Sequence, residues 1–260
     1  MSNTIILEAK NICKSFGENK VLSNVSFTIN EGEIFGIIGP NGAGKTTIFN
    51  CLTGFGQHTG GGFFLNGKKL RNNDPEYTVS QGISRTFQNI RLFKKLTVLE
   101  NILVGFHQTL AQHSWIKSFF GKNICGQKSI IDKCYDLMSY VGINRQRSLL
   151  LADSLSYGEQ RKLEIARALA TQPVIIALDE PAAGVNSVER ETLSALIKKI
   201  RTDGTTVLII EHDIDLVVNL CDRIAVLNFG KKIIDDSPQK VVANPDFISV
   251  YLGNDYDVQK

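Results

Sequence analysis

A glycine-rich segment of eight residues constrains the fold of this chain more than any other feature. Residues 39–46 read Gly-Pro-Asn-Gly-Ala-Gly-Lys-Thr. The apolar residues 34–38 before it predict a strand, and residues 47–52 after it predict a helix that ends at Gly54. A glycine, four residues and then Gly-Lys-Thr, placed between a strand and a helix, is the pattern of a loop that wraps a chain of phosphates.

The residue types in this loop suit an anionic ligand. Backbone N–H groups can surround a phosphate only where side chains do not obstruct it, which accounts for Gly39, Gly42 and Gly44. The helix that follows directs its positive end at the phosphates, Lys45 adds a mobile charge, and Thr46 offers a hydroxyl to magnesium. A glycine-rich turn without a ligand is the alternative, and the flanking strand and helix make it the weaker one.

The whole chain has the composition of a globular protein. Its 260 residues are 43% hydrophobic, enough for one large domain with a substantial core. The 29 basic and 26 acidic residues give a net charge of +3 without a long charged run, which does not indicate a nucleic-acid partner. Five scattered cysteines without a Cys-x-x-Cys pair predict neither disulfides nor a zinc site. The apolar runs are shorter than a membrane span, and we expect a cytoplasmic chain.

Local patterns predict an α/β fold with an insert. Residues 5–12 and 21–29 alternate as antiparallel strands, and Asn66-Gly67 predicts a hairpin. The apolar runs 174–178 and 205–210 predict strands buried on both faces, each followed by a helix, as in a parallel sheet. From Thr97, which forms a predicted capping box with Glu100, to about residue 151 the patterns favour helices alone.

Polar residues follow several of these strands. Asp179-Glu180 ends a strand that we expect beside the strand of the phosphate loop. At that position an aspartate can hold magnesium through water, and a glutamate can polarise a water molecule that attacks the terminal phosphate. The alternative interpretation is that these two acidic residues only solvate the end of the strand. Gln88 and His212 also follow strands, although each alone is compatible with an ordinary surface amide or a structural histidine. Phe16, near a turn, can stack on a base.

Two further segments leave alternatives open. Leu155 to Gln160 precedes a helix predicted over residues 161–171, and Ser156 and Glu159 have the spacing of a capping box. A well-capped helix and an anion site at the positive end of that helix are about equally compatible with this pattern. Residues 115–122 group three aromatics with two lysines, and packing onto the helical insert is favoured over a membrane-surface element.

Taken in order, these elements resemble the ATP-binding cassette family of ATPases over nearly the entire chain. The resemblance implies an α/β fold of the P-loop NTPase, RecA-like type, with a mostly parallel sheet, an antiparallel β subdomain and an inserted helical subdomain. It implies one cassette domain over residues 1–260. Within it, residues 1–87 and 160–235 would form the nucleotide-binding core, residues 88–159 the helical subdomain with the signature motif, and residues 236–260 a C-terminal tail.

The resemblance also assigns residues to ATP and Mg²⁺. Glu180 and His212 are the expected catalytic residues, and Thr46, Gln88 and Asp179 are the expected magnesium residues. In this family two cassettes close on two ATP molecules, each signature contacting the γ-phosphate on the opposite phosphate loop, which favours the anion site at Ser156. The expected nucleotide-binding residues are Phe16, Val21, Gly39, Asn41, Gly42, Gly44, Lys45, Thr46, Thr47, Ser156, Gly158 and Gln160.

A finer resemblance is to the cassettes of bacterial branched-chain amino-acid uptake systems. It rests on residues 85–93, 155–161, 179–186, 211–213 and the ending 244–253. Tyr157, where glycine is commonest in the family, and Asn186, where aspartate is, depart from the general pattern and put the strength of communication across the dimer in question.

This finer resemblance implies that the chain acts with other subunits. The expected partners are a second cassette, identical or paralogous, transmembrane permease subunits and, indirectly, a periplasmic or surface substrate-binding protein, with no nucleic acid. The chain would then lie in the cytoplasm on the inner face of the membrane. Cassettes for urea uptake or lipopolysaccharide export, and soluble cassette ATPases without a permease, are the alternatives.

Overall fold

The computed structural model describes residues 4–107 and 124–252, in which ten strands form two sheets. The strands are β1 (Ile5–Phe16), β2 (Asn19–Asn30), β3 (Ile34–Ile38), β4 (Gly60–Leu65), β5 (Lys68–Lys69), β6 (Ile83–Arg85), β7 (Ile175–Asp179), β8 (Thr206–Ile210), β9 (Arg223–Asn228) and β10 (Lys231–Asp236). The helices are α1 (Lys45–Leu52), α2 (Pro75–Ser80), α3 (Val98–Gly105), α4 (Ile124–Tyr140), α5 (Tyr157–Leu169), α6 (Ser187–Thr202), α7 (Ile214–Leu220), α8 (Pro238–Val242) and α9 (Pro245–Leu252).

The smaller sheet is antiparallel and has the strand order β2-β1-β4-β5. Val25, Phe27 and Ile29 of β2 are buried at alternate positions, as their spacing predicted. Asn66 and Gly67 both have positive φ and form the tight turn between β4 and β5, so the predicted hairpin is confirmed.

The larger sheet has the strand order β10-β9-β3-β8-β7-β6 and is parallel except for β10. The predicted parallel sheet is therefore confirmed. The expectation that the strand of Asp179 lies beside the strand of the phosphate loop is wrong, because β8 pairs with both β3 and β7 and separates them. Apolar periodicity identifies buried strands but does not give their order, which crossover connections decide.

Each central strand contributes side chains to two cores, one on each face of the larger sheet. Ile175 and Ala177 of β7 pack toward α1 and the smaller sheet, whereas Ile176 and Leu178 pack toward the helices of the other face. This alternation with a period of two is why the strand reads as one continuous apolar run. Because β3, β6, β7 and β8 are parallel, their carboxyl ends lie at one edge of the sheet.

The helices differ from the sequence-based expectation at two places. The helix expected over residues 161–171 begins four residues earlier, at Tyr157, because Ser156 caps it, so most of the signature segment lies in its first turn. Helix α2, capped by Asp74, was not predicted, because its six residues are too few for a helical period to be visible. The aromatic segment 115–122 lies outside the described residues. Within the described part of the chain, no helix is long and apolar enough to cross a membrane.

Candidate functional site

The phosphate loop joins β3 to α1 in the predicted order. A Cβ at Gly39 would lie 2.1 Å from the carbonyl oxygen of Leu227, and Gly44 has a φ of 99°, so both positions require glycine. The Lys45 Nζ donates hydrogen bonds of 2.6 and 3.0 Å to the carbonyl oxygens of Gly39 and Pro40. Burial lowers the pKa of Lys45, and the nearby charge of Glu180 opposes that shift. The lysine therefore folds back over its own loop, where it can turn to a phosphate.

The predicted magnesium residues lie together. Thr46 of α1, Gln88 after β6 and Asp179 at the end of β7 all line one cavity of about 350 Å³ at the carboxyl edge of the sheet. A hydroxyl, an amide carbonyl and a carboxylate are the hard oxygen donors that Mg²⁺ prefers, so this donor set fits the ion. The other lining residues are Asn50, Phe55, Arg85, Phe87, Asn89 and Arg91.

Glu180, a predicted catalytic residue, lies between Gln88, a predicted magnesium residue, and His212, the other predicted catalytic residue. Its Oε2 accepts a hydrogen bond of 2.8 Å from the Gln88 Nε2 and lies 3.5 Å from the His212 Nδ1. Glu180 has a φ of 44°, a left-handed conformation that is uncommon outside glycine and is found more often at functional sites. Its backbone N–H donates to the carbonyl oxygen of Ile210, which fixes it against β8. The structure thus brings Gln88, Glu180 and His212 together.

A second carboxylate near this cluster is buried. The Glu211 Oε1 accepts a 2.9 Å hydrogen bond from the backbone N–H of Ala182, and its side chain is 1% exposed. Burial raises the pKa of Glu211, and the hydrogen bond from Ala182 and the neighbouring His212 oppose that shift. Glu211 therefore fixes the chain just after Glu180 instead of facing the cavity.

The residues predicted to contact the base lie on the smaller sheet. Phe16 is 60% exposed at the β1–β2 turn, and the Lys14 Nζ lies 4.4 Å from the centroid of its ring. The ammonium of Lys14 therefore covers one face of the Phe16 ring. A base would stack on the other face of the ring or displace the ammonium. Val21 is half-buried, and its carbonyl oxygen lies close to Gly44, which joins this sheet to the phosphate loop. Of the other predicted residues, Asn41 and Gly42 are exposed, and Thr47 is half-buried.

The predicted signature residues line a separate cavity. Ser156 caps α5 in a complete capping box with Glu159, so the predicted capping box is confirmed. Ser156 and Gly158 line a small cavity of about 90 Å³ that also includes Glu189 of α6 and shares no lining residue with the cavity at the sheet edge. A Cβ at Gly158 would lie 2.4 Å from the Glu189 Oε1. The Gln160 Nε2 donates a 2.9 Å hydrogen bond to the carbonyl oxygen of Leu155.

The two residues that depart from the family pattern both have defined contacts. The Tyr157 hydroxyl accepts a 3.3 Å hydrogen bond from Arg161, and its ring lies against Gly184. Asn186 caps α6 through its side chain, in a capping box with Glu189. Tyr157 therefore links the signature segment to the loop that follows Glu180.

A buried ion pair connects the signature helix to the segment after β6. Arg161 and Glu164, both with side chains 1% exposed, are paired at 2.9 Å. Arg161 also donates to the carbonyl oxygens of Phe87 and Gln88, and Glu164 accepts from the N–H groups of Phe87 and Arg91. Burial raises the pKa of Glu164, opposed chiefly by the N–H of Arg91 and the charge of Arg161. Residues 87–91 are therefore fixed to α5.

Arg85 is a site residue to which the sequence assigned no role of its own. Its guanidinium lies in the cavity wall and forms a 2.7 Å ion pair with Asp179. Burial lowers the pKa of Arg85, whereas the hydrogen bond and charge of Asp179 oppose this shift. An arginine within a short buried strand, two residues before an aromatic, is a signal that could have revealed it, since such a charge requires a partner.

Comparison of the sequence with known families agrees with this geometry. A family model described as ABC transporter matches residues 22–183. The chain is 41% identical over 256 residues to the high-affinity branched-chain amino acid transport ATP-binding protein LivG of Salmonella typhimurium, and the match covers 95% of this chain and 98% of that protein.

Solved structures of cassettes share the fold. The ADP conformation of MJ1267, an ATP-binding cassette of an ABC transporter, has a TM-score of 0.83 and 34% identity, and the match covers 96% of this chain and 100% of that one. A dimeric post-hydrolysis state of the cassette MJ0796 bound to ADP and Pi has a TM-score of 0.73 and 28% identity, over 90% of this chain and 99% of that one.

Proposed function

The chain belongs to the ABC transporter family, and from this premise we propose that it is the ATP-binding and hydrolysing subunit of a branched-chain amino-acid importer. The observation that carries the ATPase part is the arrangement at the sheet edge, where Gln88 and His212 flank Glu180 beside the cavity that contains Thr46 and Asp179. The amino-acid part rests on the 41% identity to LivG over nearly the full length of both chains.

In the proposed reaction, residues 39–47 bind the phosphates of ATP through backbone N–H groups and through Lys45, which turns away from its own loop. Phe16 stacks on the adenine. Thr46, Gln88 and Asp179 would hold Mg²⁺, and the bound ion would neutralise charge on the phosphate oxygens. Glu180 accepts a proton from the attacking water, and His212 contacts the γ-phosphate.

A second cassette completes the proposed site. Ser156 and Gly158 line a cavity separate from the one at the sheet edge, which is the arrangement needed if they contact the nucleotide of a partner cassette. Residues 87–91, at the start of the proposed helical segment, would move with the signature, because Arg161 and Glu164 fix them to α5. The proposed dimer closes on ATP and opens after hydrolysis, and this segment passes the motion to a permease.

Substitution of the proposed base tests the hydrolytic mechanism. Glu180→Gln is expected to leave ATP affinity within about twofold of wild type and to lower turnover by at least about 100-fold, the scale of a lost general base. The variant should accumulate as an ATP-bound dimer in size-exclusion chromatography. Glu191→Gln, an exposed carboxylate of α6, is the matched control and should keep full activity. Hydrolysis by Glu180→Gln at the wild-type rate would show that another group is the base.

The transport role has its own test. We expect the chain to co-purify with permease subunits from the membrane fraction and to lie on the inner face of the membrane through them. Deletion of its gene should abolish uptake of labelled leucine, isoleucine and valine and leave arginine uptake unchanged. Recovery only in the soluble fraction, with unchanged leucine uptake, would favour a cassette ATPase without a permease.

A further inference from the structure

Arg85 of β6 is a buried arginine in the wall of the cavity that contains the proposed magnesium residues. Its side chain is 7% exposed. The guanidinium lies among three aromatic rings, with its central carbon 4.6 Å from the centroid of Phe49, 5.4 Å from that of Phe55 and 4.8 Å from that of Phe87. These rings restrict the plane of the guanidinium and therefore the direction of its N–H groups.

The guanidinium donates to two different elements. One terminal nitrogen donates to the Asn50 Oδ1 at 2.6 Å and to the Thr53 Oγ1 at 2.9 Å, both on α1 or directly after it. The other terminal nitrogen donates to the Asp179 Oδ2 at 2.7 Å, at the end of β7. Arg85 therefore joins the helix of the phosphate loop to the strand that carries the acidic residues.

The face of α1 that Arg85 contacts is also the face that carries Thr46. Residues 46, 50 and 53 are four and three positions apart, a spacing that places them on one side of a helix. The strand before α1 and the strand of Asp179 are not neighbours, since β8 lies between them. Backbone pairing therefore does not join Thr46 directly to Asp179, and Arg85 supplies a side-chain connection.

We propose that Arg85 is a positioning residue for the magnesium site: it sets the separation of Thr46 and Asp179, and it engages the Oδ2 of Asp179, so that the Oδ1 would remain to act toward the ion. This role rests on the proposed ATPase function. Lysine cannot replace it, because a single ammonium does not reach Asn50, Thr53 and Asp179 together in fixed directions, as a planar fork does.

The test separates metal binding from nucleotide binding. For Arg85→Met we expect the Mg²⁺ concentration that gives half-maximal ATPase activity to rise at least about tenfold. Mg²⁺ should also enhance binding of a fluorescent ATP analogue only at correspondingly higher concentration. Binding of the same analogue in EDTA should stay within about twofold of wild type, because Arg85 acts on the metal residues and not on the phosphate loop.

Two further variants complete the design. Arg85→Lys keeps the buried charge and thus the fold if the methionine variant does not fold, and it should show the same rise in Mg²⁺ requirement. Arg223→Met is the matched control. It removes an arginine of the same sheet that pairs with Glu33 at 3.1 Å and Asp235 at 2.8 Å, near the opposite edge, and it should keep the wild-type Mg²⁺ dependence.

The outcomes distinguish this inference from the proposed function. Wild-type Mg²⁺ dependence in Arg85→Lys or in a folded Arg85→Met would overturn the positioning role. Equal losses of nucleotide binding with Mg²⁺ and with EDTA would also overturn it, because they would show a purely structural role. If the wild-type protein itself bound no nucleotide and hydrolysed no ATP, the proposed function would fail instead.

Discussion

Gly158→Ala tests whether the signature segment acts on a nucleotide or only packs within its own chain. The new methyl group would lie 2.4 Å from the Glu189 Oε1, so that carboxylate must move by about 1 Å to reach an ordinary contact distance of roughly 3.5 Å. Glu189 would then lose its 3.3 Å hydrogen bond from the N–H of Asn186, which costs about 1 kcal/mol. Replacing glycine by alanine within a helix raises the free energy of unfolding by up to about 1 kcal/mol, because alanine has the higher helix propensity.

Because these two terms nearly cancel, the free energy of unfolding in urea should stay within about 1 kcal/mol of wild type. ATPase activity should nevertheless fall about 100-fold, the scale of losing one hydrogen-bond donor from a transition-state site, because the methyl group obstructs approach to the N–H of Gly158. Binding of a fluorescent ATP analogue to the separate chain should be unchanged. Activity loss without loss of stability would thus indicate a contact made in the closed dimer.

Glu189→Ala separates the two explanations. This variant removes the obstructed carboxylate, should cost about 1 kcal/mol through loss of the cap bond, and should keep most ATPase activity. The double variant Gly158→Ala, Glu189→Ala relieves the contact within the chain but keeps the added methyl group, and it should stay as inactive as Gly158→Ala alone. Recovery of activity in the double variant would refute the reasoning and assign Gly158 to internal packing.

Two further predictions concern stability. Gly105→Ala would place a Cβ 2.4 Å from the Arg167 carbonyl oxygen and 2.6 Å from the Ala170 Cβ. Overpacking of about 1–3 kcal/mol should exceed the helix-propensity gain and lower the Tm by about 5 °C; a Tm at or above wild type would contradict this close approach. Burial raises the folded-state pKa of Glu211 above 4.5, so wild-type stability falls as pH rises above that value. The Tm of Glu211→Gln relative to that of wild type should therefore rise as the pH is raised from 4 to 8, and the opposite trend would refute this.

Local sequence patterns were sufficient to predict the elements that are defined by residues close together in the chain. The phosphate loop, the capping boxes at Thr97 and Ser156 and the doubly buried strands β7 and β8 follow from spacing and residue type, and the structure contains each of them. The helical character of α4 also follows, and Ile130, Cys134 and Met138, spaced four residues apart, are buried on one face of it. These features depend on interactions between residues close in the chain.

Features that depend on contacts between residues far apart in the chain could not be predicted from local sequence patterns. The position of β8 between β3 and β7 depends on crossover connections, and no local pattern records it. The role of Arg85 depends on acceptors 35, 32 and 94 residues away in the chain. Helix α2 was hidden in a polar segment because only Thr78 of its residues is buried, which leaves no apolar stripe.

The strand that separates the phosphate loop from the acidic pair also sets the width of the reaction space. Neighbouring strands lie about 4.8 Å apart, so β3 and β7, with β8 between them, are about 10 Å apart. In the proposed reaction, that gap would give a phosphoryl group and a water molecule more room between the loop and Glu180 than two adjacent strands would. His212, which follows the middle strand, lies with its Nδ1 3.5 Å from the Glu180 Oε2, on the side of the gap from which the proposed attack on the γ-phosphate would come.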